Sequence, residues 1–271
     1  MTMNEPSRAF DAVSPELIHI TIPVGALQCN CTIIADPVTR EALVVDPGDE
    51  VTRILELLGR HKLTVKAIVS THAHIDHVGG LAKLRKYTGA PVLMHRDDLP
   101  LYHALDVQAA FLGMAAPELT DIDQLLKEGD TLHWGGFEAS VVHTPGHTPG
   151  SVCLYLPKNI VSKKVANKIN ASAGAKSAAN AAGTISKLAS EPVVTLVPNG
   201  TLTAPQLFAG DTLFAGSIGR TDLWGGSMEQ IMESLRGKLM ELPEDTKVYP
   251  GHGPATTIAK ERHTNPFLRK D

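Results

Sequence analysis

The sequence lacks the features that mark secreted, membrane-spanning and disulfide-bonded chains. It has three cysteines in 271 residues, too few for a disulfide framework, and none of them has C-x-x-C spacing. No apolar run reaches the roughly 20 residues that cross a bilayer. The first 16 residues contain neither the basic nor the apolar segment of a signal peptide. We therefore expect reduced cysteines and a cytoplasmic protein.

The sequence also lacks the excess of positive charge that nucleic-acid-binding proteins carry. Its formal net charge is -4, and six lysines against one acid are concentrated between residues 158 and 191. The rest of the chain is therefore acidic, which argues against a general nucleic-acid surface. We expect neither a membrane nor a nucleic acid as a partner, and the sequence leaves the oligomeric state open.

The composition is that of a folded α/β protein. Apolar residues make up 43% and charged residues 20%, with 23 glycines and 18 prolines as punctuation. This excludes a wholly disordered chain. A length of 271 residues lies near the upper limit for one hydrophobic core. We predict a single domain over residues 1–271, with a low-complexity insertion rich in Lys, Ala and Ser at about residues 158–205.

Short β-branched segments alternate with amphipathic helices along the chain. Three segments have the composition of strands: LIHITIPV, CTIIAD and EALVVD. The segment VTRILELL has helical spacing of its apolar residues, with Gly59 where a left-handed C-cap belongs. Further on, PVVTLV also has the composition of a strand. Ser227 and Gln230 have the spacing of a capping box before a helical stripe. This alternation predicts an α/β fold.

The segment THAHIDH, residues 71–77, carries the strongest chemical signal. It follows the strand VKAIVS. Four of its last six residues can bind a metal ion, and these side chains would be costly to bury without partners. His72 and His74 are two apart in an extended segment and project to the same side, so they can share one ion. The following turn brings Asp76 and His77 to a second position. A solvated histidine-rich turn is the alternative interpretation.

Three further candidate ligands follow later strands. His147 lies in HTPGHTPGS, where two Pro-Gly pairs fix a rigid turn. Asp211 lies in LFAGDTLF, and His252 lies in YPGHGP. Each alone is more often a surface or capping residue. Together with residues 71–77, they predict a metal centre.

With these residues in this order, the sequence resembles the metallo-β-lactamase superfamily, whose marks are H-x-H-x-D-H, a later His, a later Asp and a final His. Within it, the sequence is most similar to short bacterial glyoxalase II-like (hydroxyacylglutathione hydrolase-like) proteins. The strings that carry this likeness include VGALQCNCTI, LVVDPGDE, HTPGHTPGSVCLY and GDTLFAGSIGRTD, and it covers residues 17–157 and 206–269. It implies a four-layer αβ/βα sandwich, with two mixed sheets and helices outside.

The resemblance also implies two divalent metal ions, most simply zinc, with iron and manganese as alternatives. The implied assignment is His72, His74 and His147 on the first ion, Asp76, His77 and His252 on the second, and Asp211 bridging both. Asp46 would orient a ligand from outside the coordination shell. Its alternative role is that of a turn residue before Pro47.

Such a site implies hydrolysis without a serine or cysteine nucleophile. A hydroxide between two ions attacks a carbonyl, and the same ions stabilise the oxyanion. A thiolate leaves readily, since a thiol pKa lies near 8.5. Asp76 is expected to assist proton transfer. The expected substrate is a small-molecule thioester such as S-lactoylglutathione.

Two departures keep an alternative function open. The resemblance assigns no positions to the glutathione-binding cations that full-length glyoxalase II carries in its C-terminal helical domain. In addition, GRTDLWGGS, residues 219–227, is similar to the iron-dependent persulfide dioxygenases of the same fold. A persulfide dioxygenase is therefore the alternative. The presence of all the candidate ligands for a second ion favours the hydrolase, and so does Ser151.

Overall fold

The structure, a computed structural model, describes residues 17–158, 193–196 and 202–269. The predicted insertion at about residues 158–205 falls largely outside these ranges, as do both ends of the predicted single domain. Those boundaries therefore stay predictions. Within the described ranges, no helix is both long and apolar enough to cross a membrane.

The first sheet has seven strands and mixed pairing. Its strands are β1 (Ile18–Val24), β2 (Cys29–Ala35), β3 (Glu41–Val45), β4 (Thr64–Val69), β5 (Val92–His95), β6 (Gln124–Leu126) and β10 (Val193–Leu196). They lie in the order β10-β1-β2-β3-β4-β5-β6. Pairing is antiparallel from β10 to β3 and parallel from β3 to β6. Residues 193–196 of the predicted strand PVVTLV thus form β10, at the edge of the sheet as far as the structure describes it.

The second sheet has six strands and is also mixed. Its strands are β7 (Thr131–Trp134), β8 (Phe137–His143), β9 (Val152–Leu156), β11 (Gln206–Gly210), β14 (Lys247–Pro250) and β15 (Thr256–Thr257). They lie in the order β15-β14-β11-β9-β8-β7, and only β11 and β14 pair in parallel. A small ribbon of β12 (Leu213–Phe214) and β13 (Ser217–Ile218) follows β11.

Seven helices cover the outer faces of the sheets in the described part of the chain. They are α1 (Val51–Arg60), α2 (Ile75–Val78), α3 (Leu81–Thr88), α4 (Leu99–His103), α5 (Leu105–Leu112), α6 (Met228–Gly237) and α7 (Ile258–Thr264). The first five follow strands of the first sheet in the chain. Helix α6 follows the β12–β13 ribbon, and α7 follows β15 of the second sheet.

The apolar side chains form three interfaces between four layers. Alternate residues of β1, such as Ile20 and Ile22, pack against α1, α3 and α5 on one face of the first sheet. Leu43 and Phe208 lie between the two sheets. A third cluster, which includes Ile231, lies between the second sheet and helices α6 and α7. The predicted four-layer sandwich of two mixed sheets with helices outside is confirmed.

Two local predictions about helix ends have different outcomes. Ser227 accepts a hydrogen bond from the Gln230 N–H at 3.3 Å, which confirms the N-cap half of the predicted capping box, but the Ser227 N–H donates to Gly146 O rather than to the Gln230 side chain. The predicted C-cap at Gly59 is wrong, because α1 continues to Arg60 and the left-handed residue is Lys62, with φ 53°. Nothing lies within 4 Å of a Cβ built at Gly59, so packing does not require glycine there.

Candidate metal centre

The predicted ligands lie in four loops that meet at one edge of the two sheets. Residues 71–77 follow β4, and His147 lies in the turn between β8 and β9. Asp211 and His252 follow β11 and β14, which are neighbouring parallel strands. Backbone hydrogen bonds join these loops: Val152 N–H donates to Thr71 O at 2.8 Å and Gly251 N–H to Gly210 O at 2.7 Å. The sheets therefore fix where the ligand loops meet.

Three buried histidines form the first group of side chains. His72 Nε2 lies 3.1 Å from His74 Nδ1 and 3.2 Å from His147 Nε2. Nitrogens bound at 2.0–2.1 Å to a tetrahedral zinc ion lie about 3.4 Å apart. The spacing of these three nitrogens matches a set of ligands around one ion.

A second group contains one carboxylate and two histidines. His77 Nε2 lies 3.3 Å from His252 Nε2, and Asp76 Oδ2 lies 3.1 Å from His252 Nε2 and 3.8 Å from His77 Nε2. These distances again match the spacing of ligands around a single ion. The structure thus brings together the residues that the sequence assigned to a second ion.

Asp211 lies between the two groups. Its Oδ2 is 3.6 Å from His147 Nε2 and 3.7 Å from His252 Nε2, and its Oδ1 is 3.5 Å from His77 Nε2. One carboxylate therefore faces a nitrogen of the first group and two nitrogens of the second. This is the position that a bridging ligand requires.

The chemistry of the first group fits a divalent cation. Burial, together with the neighbouring histidines, holds the pKa of His72 and His74 well below the usual range. Neutral imidazoles have the free lone pair that a metal needs. Asp211 Oδ1 is buried and has no hydrogen-bond partner among the described residues. A cation would satisfy these acceptors.

The second group also attracts positive charge. Burial would raise the pKa of Asp76, yet His77 and His252 hold it well below its usual range. Burial would lower the pKa of His252, yet its hydrogen bond to Asp76 and the charge of Asp211 raise it. Ionised carboxylates in a largely buried position need a cationic partner, which a divalent ion supplies.

Asp46 and a backbone carbonyl orient two of the candidate ligands. His77 Nδ1 lies 3.0 Å from Asp46 Oδ2, and His147 Nδ1 donates to the carbonyl of Arg220 at 2.8 Å. Each contact leaves Nε2 directed at the centre. Asp46 itself accepts hydrogen bonds from the Thr71 N–H and hydroxyl, both at 2.7 Å. These contacts correspond to the orienting role expected for Asp46, whose φ of 51° also suits the turn before Pro47.

Cys29 lies beside the second group without the properties of a ligand. Its Sγ is 3.5 Å from His77 Nδ1, on the side of the ring that faces Asp46. Burial raises the pKa of the Cys29 thiol to about 12, and the His77 nitrogen that it contacts is the one that faces Asp46 rather than the candidate centre. All three cysteines are buried and unpaired, as the sequence suggested.

Asp98 is a structural partner of the ligand loops that the sequence did not reveal. Its buried carboxylate accepts hydrogen bonds from the Ala73 N–H at 2.8 Å, the Thr148 hydroxyl at 2.9 Å and the Gly150 N–H at 2.6 Å. Burial raises its pKa, although these three bonds oppose the shift. Asp98 thus ties the loop of residues 71–77 to the turn that carries His147.

Gln108 of α5 is a second such partner. Its side-chain oxygen accepts from the Ile75 N–H, and its amide donates to Ala73 O, each at 3.0 Å. Neither Asp98 nor Gln108 is part of a sequence pattern, because each contacts the ligand loop from about 30 positions away. Only the fold brings them together.

His143 lies outside the ligand groups. Its Nε2 donates to Pro149 O at 2.9 Å, which closes the turn around His147, and its ring stacks on His95 at 4.1 Å with 12° between the planes. With Asp97, these two histidines form another compact group. Since a metal lies in the plane of each ring that binds it, two nearly parallel stacked rings are poorly arranged to share one ion.

Two apolar features border the centre. Trp224 lies edge-on to His74 at 5.8 Å, and Phe111 of α5 lies edge-on to Trp224 at 5.4 Å. On the side of Asp76, a cleft of about 150 Å³ opens between the turn joining β1 to β2 and the segment after α5.

Comparison with known proteins gives concordant matches. The model of the Metallo-beta-lactamase superfamily matches residues 24–161. Hydroxyacylglutathione hydrolase GloC of Haemophilus influenzae is 32% identical, covering 91% of this chain and 96% of its own. Two solved structures match 92% of this chain and 99% of their own: BLEG-1 B3 metallo-beta-lactamase, at 33% identity and TM-score 0.70, and TTHA1623 in a di-iron-bound form, at 34% and 0.68.

Proposed function

The chain belongs to the metallo-beta-lactamase superfamily, and on this premise we propose that it is a metal-dependent hydrolase that cleaves a thioester such as S-lactoylglutathione. The observation that carries the proposal is Asp211 between two ligand groups, a geometry suited to two ions acting on one carbonyl. The likeness to hydroxyacylglutathione hydrolase GloC supports the thioester as substrate.

Each residue of the centre has a distinct proposed role. The two ions would be held by His72, His74 and His147, by Asp76, His77 and His252, and by Asp211 between them. When bound there, two divalent ions lower the pKa of a water molecule toward neutrality and stabilise negative charge on a carbonyl oxygen. The low pKa of Asp76 means that its carboxyl would hold a proton only in passing, so its proposed role is to relay a proton from the attacking water to the leaving thiolate.

We propose zinc as the resident metal. Imidazole nitrogens with carboxylate oxygens are ligands that suit zinc, and the spacing within each group matches tetrahedral binding. The same donors also accept iron, and TTHA1623 holds two iron ions. Iron loading would favour the alternative function, a persulfide dioxygenase, which the string GRTDLWGGS at residues 219–227 also favours.

An oxygen-controlled assay separates the two functions. Zinc-loaded and iron-loaded protein would be tested anaerobically with S-lactoylglutathione and aerobically with glutathione persulfide. We expect thioester cleavage without oxygen, abolished in Asp211→Ala and retained in Asp121→Ala, whose carboxylate is 95% exposed. Oxygen consumption by the iron form, with no thioester cleavage by either form, would overturn the proposal.

A further inference from the structure

The cleft beside Asp76 is bounded by two separate parts of the chain. One wall is the turn between β1 and β2, which contributes Leu27. The other is the segment after α5, which contributes Met114 and Pro117. Ile75 and Asp76 also line it, and since the Asp76 carboxylate lies 3.1 Å from His252 Nε2, the cleft adjoins the candidate metal centre on the side of Asp76.

Apolar side chains line both walls of the cleft, although its exposed surface is about as polar as it is apolar, and two large apolar side chains remain open to water. Leu27 is 43% exposed and Met114 is 37% exposed, and they come from opposite walls. A single exposed apolar residue is ordinary, but a concave surface that presents apolar side chains next to reactive groups is typical of a ligand site. Covering these two side chains with an apolar group would remove apolar surface from water.

The charges around the cleft are negative. Asp49 and Asp76 are the ionisable side chains among the described residues that line it, and no lysine, arginine or histidine does so there. On the neighbouring helix α1, Arg53 donates to Pro23 O at 3.1 Å and to Glu50 Oε2 at 3.2 Å. An anionic group in the cleft would therefore face a carboxylate at its outer end and find no cation in its walls.

The volume limits the size of the group that fits. The cleft measures about 150 Å³. A cavity of this size accommodates a molecule the size of benzene. A chain of roughly four to six carbons therefore fills it.

We propose that this cleft binds the acyl chain of the thioester, and that this chain is uncharged, apolar and about four to six carbons long. The proposal rests on the proposed function, since the acyl chain would extend past Asp76 into the cleft only if the thioester carbonyl is bound at the metal centre. The thiol part suits the cleft less well, because a carrier such as glutathione bears carboxylates, and the described residues that line the cleft offer them two aspartates and no cation.

The test varies the acyl group on one thiol. Initial rates of the zinc-loaded protein would be measured with acetyl-, butyryl-, pentanoyl-, hexanoyl- and glutaryl-glutathione. We expect kcat/KM to rise by up to about fourfold for each CH₂ buried. Glutaryl-glutathione, which matches pentanoyl-glutathione in chain length but ends in a carboxylate, should be at least about tenfold slower than pentanoyl-glutathione.

Three variants assign the preference to the cleft. Leu27→Ala and Met114→Ala should each lower kcat/KM for hexanoyl-glutathione by about tenfold or more, mainly through KM, and should affect acetyl-glutathione far less. Asp49→Asn should raise the rate with glutaryl-glutathione selectively. The matched control is Leu119→Ala, a leucine that is 44% exposed but does not line the cleft, and it should leave the acyl preference unchanged.

The outcomes distinguish the two proposals. Equal kcat/KM for acetyl- and hexanoyl-glutathione, or for glutaryl- and pentanoyl-glutathione, would overturn the assignment of the cleft while the hydrolase proposal stands. An acyl preference that Leu27→Ala and Met114→Ala leave intact would also overturn it. No cleavage of any thioester by the metal-loaded protein would overturn the proposed function and this assignment with it.

Discussion

At the scale of single residues, the ligands of the candidate centre depend on buried groups that never touch a metal. Asp98 is the clearest example, because one carboxylate accepts hydrogen bonds from both the 71–77 loop and the His147 turn. Such outer contacts set the orientation of ligands and their mutation reduces metal affinity. Asp98 should therefore matter for metal binding although it is not a ligand.

We expect Asp98→Asn to weaken zinc binding by about 10- to 100-fold, because one acceptor oxygen is replaced by an amide donor, which then faces either the Gly150 N–H or the donors of Ala73 and Thr148. The free energy of unfolding of the metal-free protein should fall by about 1–3 kcal/mol. Competition with a chelator and urea denaturation measure the two effects. Asp97→Asn is the control, since its side chain is half exposed and outside the centre. Wild-type zinc affinity in Asp98→Asn would contradict the role given to Asp98.

His19 provides a pH dependence of stability that is separate from the centre. Burial, with a smaller contribution from Lys247, lowers its pKa to about 4, from 6.5. Since the unfolded chain binds this proton near pH 6.5 and the folded chain does not, stability falls as the pH drops from about 6.5 to 4.

Between pH 7 and pH 5, His19 should contribute a loss of about 2 kcal/mol. His19→Gln keeps a hydrogen-bonding group near Thr21, the partner of His19 at 2.9 Å, but does not titrate. We expect this variant to lose less stability than the wild type on acidification, in urea denaturation of metal-free protein at both pH values. Parallel pH profiles for the two proteins would show that His19 is not the group responsible.

At the scale of elements, local sequence patterns predicted those features whose interacting residues are close together in the chain. The strand–turn–helix around residues 71–77 was readable because strand, ligands and helix follow one another, and the Ser227 cap because its partner is three residues away. Asp98 and Gln108 could not be read, since their partners come from other elements. The prediction of a C-cap at Gly59 was wrong because α1 extends to Arg60 and the left-handed residue is Lys62. The glycine therefore does not mark the end of the helix.

The contact between α6 and the His147 turn illustrates such a long-range requirement. Gly146 has φ +133°, and a Cβ there would lie 2.1 Å from the backbone nitrogen of Ile231. Two hydrogen bonds of 2.8 Å hold the contact: the Ser227 N–H donates to Gly146 O and the Ser234 hydroxyl to Pro145 O. The turn can approach α6 this closely only with glycine at this position.

Gly146→Ala should therefore destabilise the protein by about 3 kcal/mol or more and displace His147, which weakens metal binding. Thermal unfolding and zinc titration measure both effects. Gly237→Ala is the matched control at the end of α6, where the added methyl meets open space, and its stability should change by no more than about 1 kcal/mol, upward. Equal stability of the two variants would argue against the close contact.

At the scale of the whole molecule, the candidate centre joins the two sheets. His72, His74, Asp76 and His77 follow β4 of the first sheet, whereas His147, Asp211 and His252 lie in loops of the second. Each ligand group contains residues from loops of both sheets, and the Asp211 carboxylate lies close to both groups. Metal binding should thus be linked to folding, so that bound ions stabilise the assembled sandwich.

The most direct test of this account is the number of metal ions bound per chain, measured by elemental analysis of protein reconstituted with zinc. We expect two zinc ions in the wild type, and one or fewer in His252→Ala and in Asp211→Ala, with the fold retained by circular dichroism. His143→Ala should keep two, since its ring lies outside both ligand groups. A folded wild-type protein that binds one zinc ion or none would contradict the binuclear centre.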